Sequence, residues 1–135
     1  MSIRELLFPA ESRLFPGQRW VNISLRTLHL IGLAGIGSGF LYPAHAGASN
    51  SYLYLTFASG LVLTLISIWS NAIWLLQLRG QAILLKLLLL ALIPLWPMFS
   101  GGLLILVIII SSYISHAPGD VRYYSIYHRC RIESL

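Results

Sequence analysis

The sequence contains few charged residues, only four acids and a single cysteine. Charged side chains make up 10% of the 135 residues, which is too few to coat a soluble globular domain, so the chain must contact lipid. One cysteine, Cys130, excludes an internal disulfide framework and a four-cysteine metal site. The sequence also has no paired carboxylates, no G-x-S-x-G motif and no phosphate-binding glycine loop. These absences predict a protein that is not an enzyme.

Apolar residues dominate what is present. They make up 57% of the chain, and the mean hydropathy is +0.78. The apolar runs predict an all-α integral membrane protein with four transmembrane helices in an antiparallel bundle, at about 23–42, 52–78, 81–99 and 101–116. The fourth run is rich in β-branched residues, but in lipid the unsatisfied backbone leaves the helix as the only open structure. Residues 23–116 therefore form the predicted transmembrane domain.

The basic residues indicate how the helices are oriented. All nine fall on one side of the predicted bundle, either before the first span, around the turn between the second and third spans, or after the fourth; they are Arg4, Arg13, Arg19, Arg26, Arg79, Lys86, Arg122, Arg129 and Arg131. By the positive-inside rule, both termini are expected in the cytoplasm, and we expect a bacterial inner membrane. Because these residues flank apolar runs and form no basic stripe, no nucleic-acid partner is expected.

Two segments outside the spans carry arginine mixed with aromatic residues. Residues 1–22 fit either a segment lying at the headgroup level or a simple polar leader. Residues 117–135 form a basic, tyrosine-rich tail suited to the cytoplasmic membrane surface. Cys130 in this tail is expected to be an idle reduced thiol, with lipidation or redox sensing as alternatives.

The first span carries glycines at helical spacing. Gly32, Gly35 and Gly39 lie on one face, and Gly35–Gly39 is a GxxxG pair. Only small residues let two helix backbones approach closely in a membrane. This face is predicted to be the packing surface of a central helix.

Polar residues within the spans fall in the cytoplasmic half of the predicted bundle. A hydrogen-bonded cluster is predicted there, consisting of Asn71, Lys86, Ser111, Ser112 and Ser115 together with His29 and His116. Such residues commonly join helices or snorkel to the interface. None of the four acids lies in a span, which argues against a proton-driven exporter.

The two histidines also permit a sharper hypothesis. Neutral imidazoles are good axial ligands of haem iron, and His29 and His116 are expected on the same side of the membrane. The run Arg26-Thr-Leu-His-Leu-Ile-Gly32 resembles the arginine–leucine–histidine–x–x–glycine signal in membrane domains of the copper-resistance D type and in related four-helix b-type cytochromes. That resemblance covers one helix and implies a four-helix fold with haem or copper.

The sequence is compatible with three functions. The first is a non-catalytic accessory, assembly or structural subunit of a larger membrane complex, whose partners are the lipid bilayer and other membrane subunits and which needs no cofactor. The second is a small protein that handles b-type haem or a metal through His29 and His116. The third is a homo-oligomeric transporter of small solutes.

Overall fold

The protein is mostly helical. The computed structural model describes residues 7–9, 11–42 and 49–132, so most of the predicted loop at 43–51 and parts of both terminal segments lie outside the described residues. The main helices are α1 (Gln18–Leu41), α2 (Ser49–Ser70), α3 (Leu78–Leu92) and α4 (Ser100–His116). Two 3₁₀ helices (Ala72–Leu76 and Pro97–Phe99), the short helix α5 (Gly119–Arg122) and an antiparallel hairpin of β1 (Tyr124–Ser125) and β2 (Cys130–Arg131) complete the fold.

In the described part of the chain, three helices are long and apolar enough to cross a membrane: Gln18–Leu41, Asn50–Ser70 and Pro97–His116. Helix α3 is not among them, although a third span was predicted at 81–99. Its 15 residues rise about 22 Å, short of the roughly 30 Å of a hydrocarbon core. It ends before Pro94, which has no backbone N–H to continue the helical ladder.

The chain between α2 and α3 also differs from the predicted span at 52–78. Helix α2 ends at Ser70, and Asn71 is extended with φ −172°. The Asn71 carboxamide oxygen accepts the Ile73 N–H at 3.0 Å, which starts the 3₁₀ helix in place of another α-helical turn. Trp74 is buried in this connection, and a Cβ at Gly80 would overlap the Trp74 carbonyl. A compact buried connection therefore replaces the predicted helical end.

The helices pack as two hairpins around a shared apolar core. Helix α1 runs along α2, and α3 runs along α4. Side chains from all four helices meet in the core, which contains Ile36, Leu53, Leu89, Leu90, Ile93, Leu104 and Val107. Helices α1 and α4 approach each other where Phe40 lies beside Gly101.

Both terminal segments cover the buried connection. Arg13 and Ser70 are joined by two hydrogen bonds, from Arg13 N–H to Ser70 O (2.9 Å) and from Ser70 Oγ to Arg13 O (2.7 Å). On the other side, Gln77 Nε2 donates to Ile132 O at 2.6 Å. We call residues 9, 11–15, 70–77 and 123–132 the terminal clasp. It places the start of α1, the end of α2 and the start of α3 at the same end of the molecule as the C-terminal tail.

Candidate functional site

His29 is held between α1 and α2. Its Nδ1 lies 2.8 Å from the Thr56 carbonyl oxygen and 3.3 Å from Ser59 Oγ. A carbonyl can only accept, so Nδ1 carries the hydrogen and donates it, which leaves Nε2 as the acceptor of a neutral imidazole. The ring lies over Gly60, where an added Cβ would be 3.1 Å from His29 Cε1. His29 therefore joins α1 to α2 through the backbone of α2.

The α2 residues around His29 are not among the site residues that the sequence predicted. Thr56, Ser59, Gly60 and Thr64 are all buried, and their spacing places them on one face of α2. The hydroxyls of Thr56, Ser59 and Thr64 each donate to a carbonyl of their own helix. Small and hydroxyl-bearing residues at this spacing are the sequence signal that marks this face.

The packing glycines of α1 meet the same helix. A Cβ on Gly32 would overlap Thr56 Oγ1 and would lie 2.9 Å from the Tyr52 carbonyl oxygen. A Cβ on Gly35 would overlap the Tyr52 ring. Gly39 lies half-buried near the end of α1. Close approach of α1 and α2 thus requires glycine at Gly32 and Gly35, and it brings the Thr56 carbonyl within reach of His29.

Lys86 joins the second pair of helices. Its Nζ donates to Ser111 Oγ at 3.2 Å, connecting α3 to α4. Of the predicted polar cluster, Lys86 and Ser111 are therefore hydrogen-bonded to each other, whereas His29 is bound to α2.

The other predicted members of the cluster lie elsewhere. Asn71 ends α2, and its Nδ2 donates to Pro9 O at 3.4 Å in the terminal clasp. Ser112, Ser115 and His116 are exposed on α4. His116 is the last residue of that helix, whereas His29 lies inside α1 against α2. Over the residues that the structure covers, no contact joins the two histidines, and no group of three or more His, Cys, Asp or Glu could hold a metal ion.

Comparison with family models, with curated proteins and with solved structures finds no match. His29 and Lys86 both lie inside the helical body, and each binds a neutral oxygen on a neighbouring helix. Such an arrangement joins neighbouring helices.

Proposed function

We propose that this protein is a non-catalytic subunit that docks against a helix of another protein in a larger complex of the bacterial inner membrane. In this proposal the chain crosses the membrane four times with both termini in the cytoplasm, and the short α3 crosses together with residues 93–96. Three apolar helices of sufficient length and the interhelical use of His29 and Lys86 support this assignment.

The observation that carries the proposal is the unpacked face of α1. Leu30, Ala34, Gly37 and Leu41 follow i, i+4, i+7, i+11 spacing, so they lie on one face, turned away from the face of Gly32 and Gly35. Leu30 and Leu41 are 64% and 75% exposed, and a Cβ on Gly37 would meet nothing within 4 Å. We call this surface the outer face of α1.

Small residues on a membrane helix favour docking of a second helix because they let the two backbones approach closely. Glycine also weakens a helix by about 1 kcal/mol relative to alanine. On the outer face of α1, Gly37 carries that cost without any packing gain against the residues that the structure describes. A partner helix lying across Ala34 and Gly37 would supply the missing contact.

Native purification in mild detergent tests the proposal. The full-length protein is expected to run as a complex larger than the monomer, with a defined partner. Ala34→Leu and Gly37→Leu are expected to lower the complexed fraction at least about fivefold, since overpacking a close contact costs about 1–3 kcal/mol. Ala58→Leu is the matched control, because Ala58 is an exposed alanine on α2.

Two results would contradict the proposal. One concerns the complex: the wild-type protein is only monomeric, or Ala34→Leu and Ala58→Leu lower the complexed fraction equally. The other is a haem absorption band in the purified protein, which would favour the b-type haem function instead.

A further inference from the structure

An open groove runs along the first turns of α1, beside the N-terminal segment. It is lined by Leu14 from that segment and by Gln18, Arg19, Asn22, Ile23 and Arg26 from the helix. Arg19 and Arg26 are seven residues apart, so both lie on the same face of α1, with Asn22 between them. The neighbouring Trp20 is 73% exposed, which suits the headgroup level of a membrane.

The groove has positive charge that the described chain does not neutralise. Arg19 and Arg26 are exposed, and neither forms an ion pair with any residue in the described ranges. Guanidinium groups bind phosphate oxygens well because their N–H groups match the geometry of the anion. Two of them on one helix face therefore select for a phosphate group.

Asn22 favours a ligand that also carries a hydrogen-bond donor. Its Oδ1 is buried and has no hydrogen-bond partner among the described residues. An unpaired buried acceptor loses its hydrogen bond to water without gaining another, so a ligand that donates to it is favoured. Leu14 and Ile23 add apolar surface beside these polar groups, with exposed fractions of 77% and 43%.

We propose that this groove binds one anionic phospholipid of the cytoplasmic leaflet. The phosphate lies between Arg19 and Arg26, a headgroup hydroxyl donates to Asn22 Oδ1, and the start of an acyl chain lies along Leu14 and Ile23. Phosphatidylglycerol has this combination of one negative charge and headgroup hydroxyls. Phosphatidylcholine lacks both the net charge and the donor.

The general attraction of a basic protein end to an anionic leaflet is a competing explanation. That attraction grows with the number of basic residues near the surface and does not depend on which arginine is present. A built site instead depends on Arg19, Asn22 and Arg26 in particular. Variants that remove equal charge at different positions separate the two explanations.

Native mass spectrometry of the full chain, titrated with phosphatidylglycerol or phosphatidylcholine in detergent, tests the proposal. Wild type is expected to retain one phosphatidylglycerol molecule in preference to phosphatidylcholine. R19Q/R26Q is expected to weaken retention at least about tenfold, because two charge-assisted hydrogen bonds are lost. R129Q/R131Q removes the same charge from the tail and is expected to change retention less than about threefold.

Two further arms identify the ligand. N22A is expected to keep phosphate binding and to lose the preference for phosphatidylglycerol over phosphatidic acid, which has no headgroup hydroxyl. Inorganic phosphate at millimolar concentration is expected not to displace the lipid; displacement would assign the groove to a soluble anion. Equal retention of both lipids by wild type, or equal losses in the two double variants, would overturn the proposal. The comparison of the two lipids on the wild-type protein tests the proposal even if a variant does not fold.

Discussion

At the residue scale, two glycines of α1 have opposite environments. Gly32 is buried against α2, where an added Cβ would overlap Thr56 Oγ1 and lie 2.9 Å from Thr56 N. Gly37 lies on the outer face of α1, where an added Cβ meets nothing within 4 Å. The same residue type therefore brings two backbones together at one position and leaves an open surface at the other.

This contrast predicts different effects of one substitution. Gly32→Ala is expected to destabilise the protein by about 1–3 kcal/mol, because backbone atoms of α2 would have to move. Gly37→Ala is its control and is expected to be neutral or to stabilise by up to about 1 kcal/mol through helix propensity. Thermal unfolding of the purified chain in mild detergent measures both. Equal losses in the two variants would contradict the assigned packing.

At the element scale, the terminal clasp stands where the apolar composition predicts that α2 and α3 continue as longer helices. The connection between α2 and α3 is buried, and Gln77 is 1% exposed in it. Its Nε2 bond to the Ile132 carbonyl ties the tail to the start of α3, while Arg79 lies over the Tyr123 ring at 4.7 Å. The tail is thus part of the folded structure in addition to being basic.

Gln77→Leu is expected to release the tail, because it removes the donor to Ile132 O and leaves that carbonyl unpaired, at a cost of about 1–3 kcal/mol. Hydrogen exchange is expected to rise at 123–132, and trypsin is expected to cleave faster after Arg129. Gln81→Leu is the matched control, since Gln81 lies half-buried in α3 without a side-chain hydrogen bond to any described residue. Unchanged exchange in Gln77→Leu would argue against the clasp.

At the scale of the whole molecule, the clasp gathers the N-terminal segment, the α2–α3 connection and the tail at one end. Helices α1 to α4 therefore alternate in direction along the chain. The same end carries Arg13, Arg79, Arg122, Arg129 and Arg131. This grouping supports the proposed orientation, in which that end faces the cytoplasm.

Reporter fusions test the orientation directly. A reporter active only in the cytoplasm is expected to be active at the C-terminus and inactive when inserted at Ser49, where α2 begins. A reporter active only outside the cytoplasm is expected to give the reverse pattern. A cytoplasmic signal at Ser49 would contradict the alternating arrangement.

The sequence alone determined the helical character of the protein, the apolar composition of its long helices and the glycine spacing of α1. These follow from local properties: an apolar helix satisfies its own backbone, and residues three or four apart share a face. The spacing places Gly32 and Gly35 on one face and Gly37 on another, but the sequence cannot tell which helix that glycine face contacts.

Only the tertiary structure decided the partners of the polar residues and the ends of the central helices. His29 binds the Thr56 carbonyl. Every residue has a backbone carbonyl, so the residue types do not predict which one His29 binds. Ser70, the last residue of α2, is hydrogen-bonded to Arg13, 57 residues away. The predicted clustering of Ser112 and Ser115 with Lys86 depends on which face α4 turns inward. These outcomes are set by contacts between segments distant in sequence, and local periodicity carries no information about them.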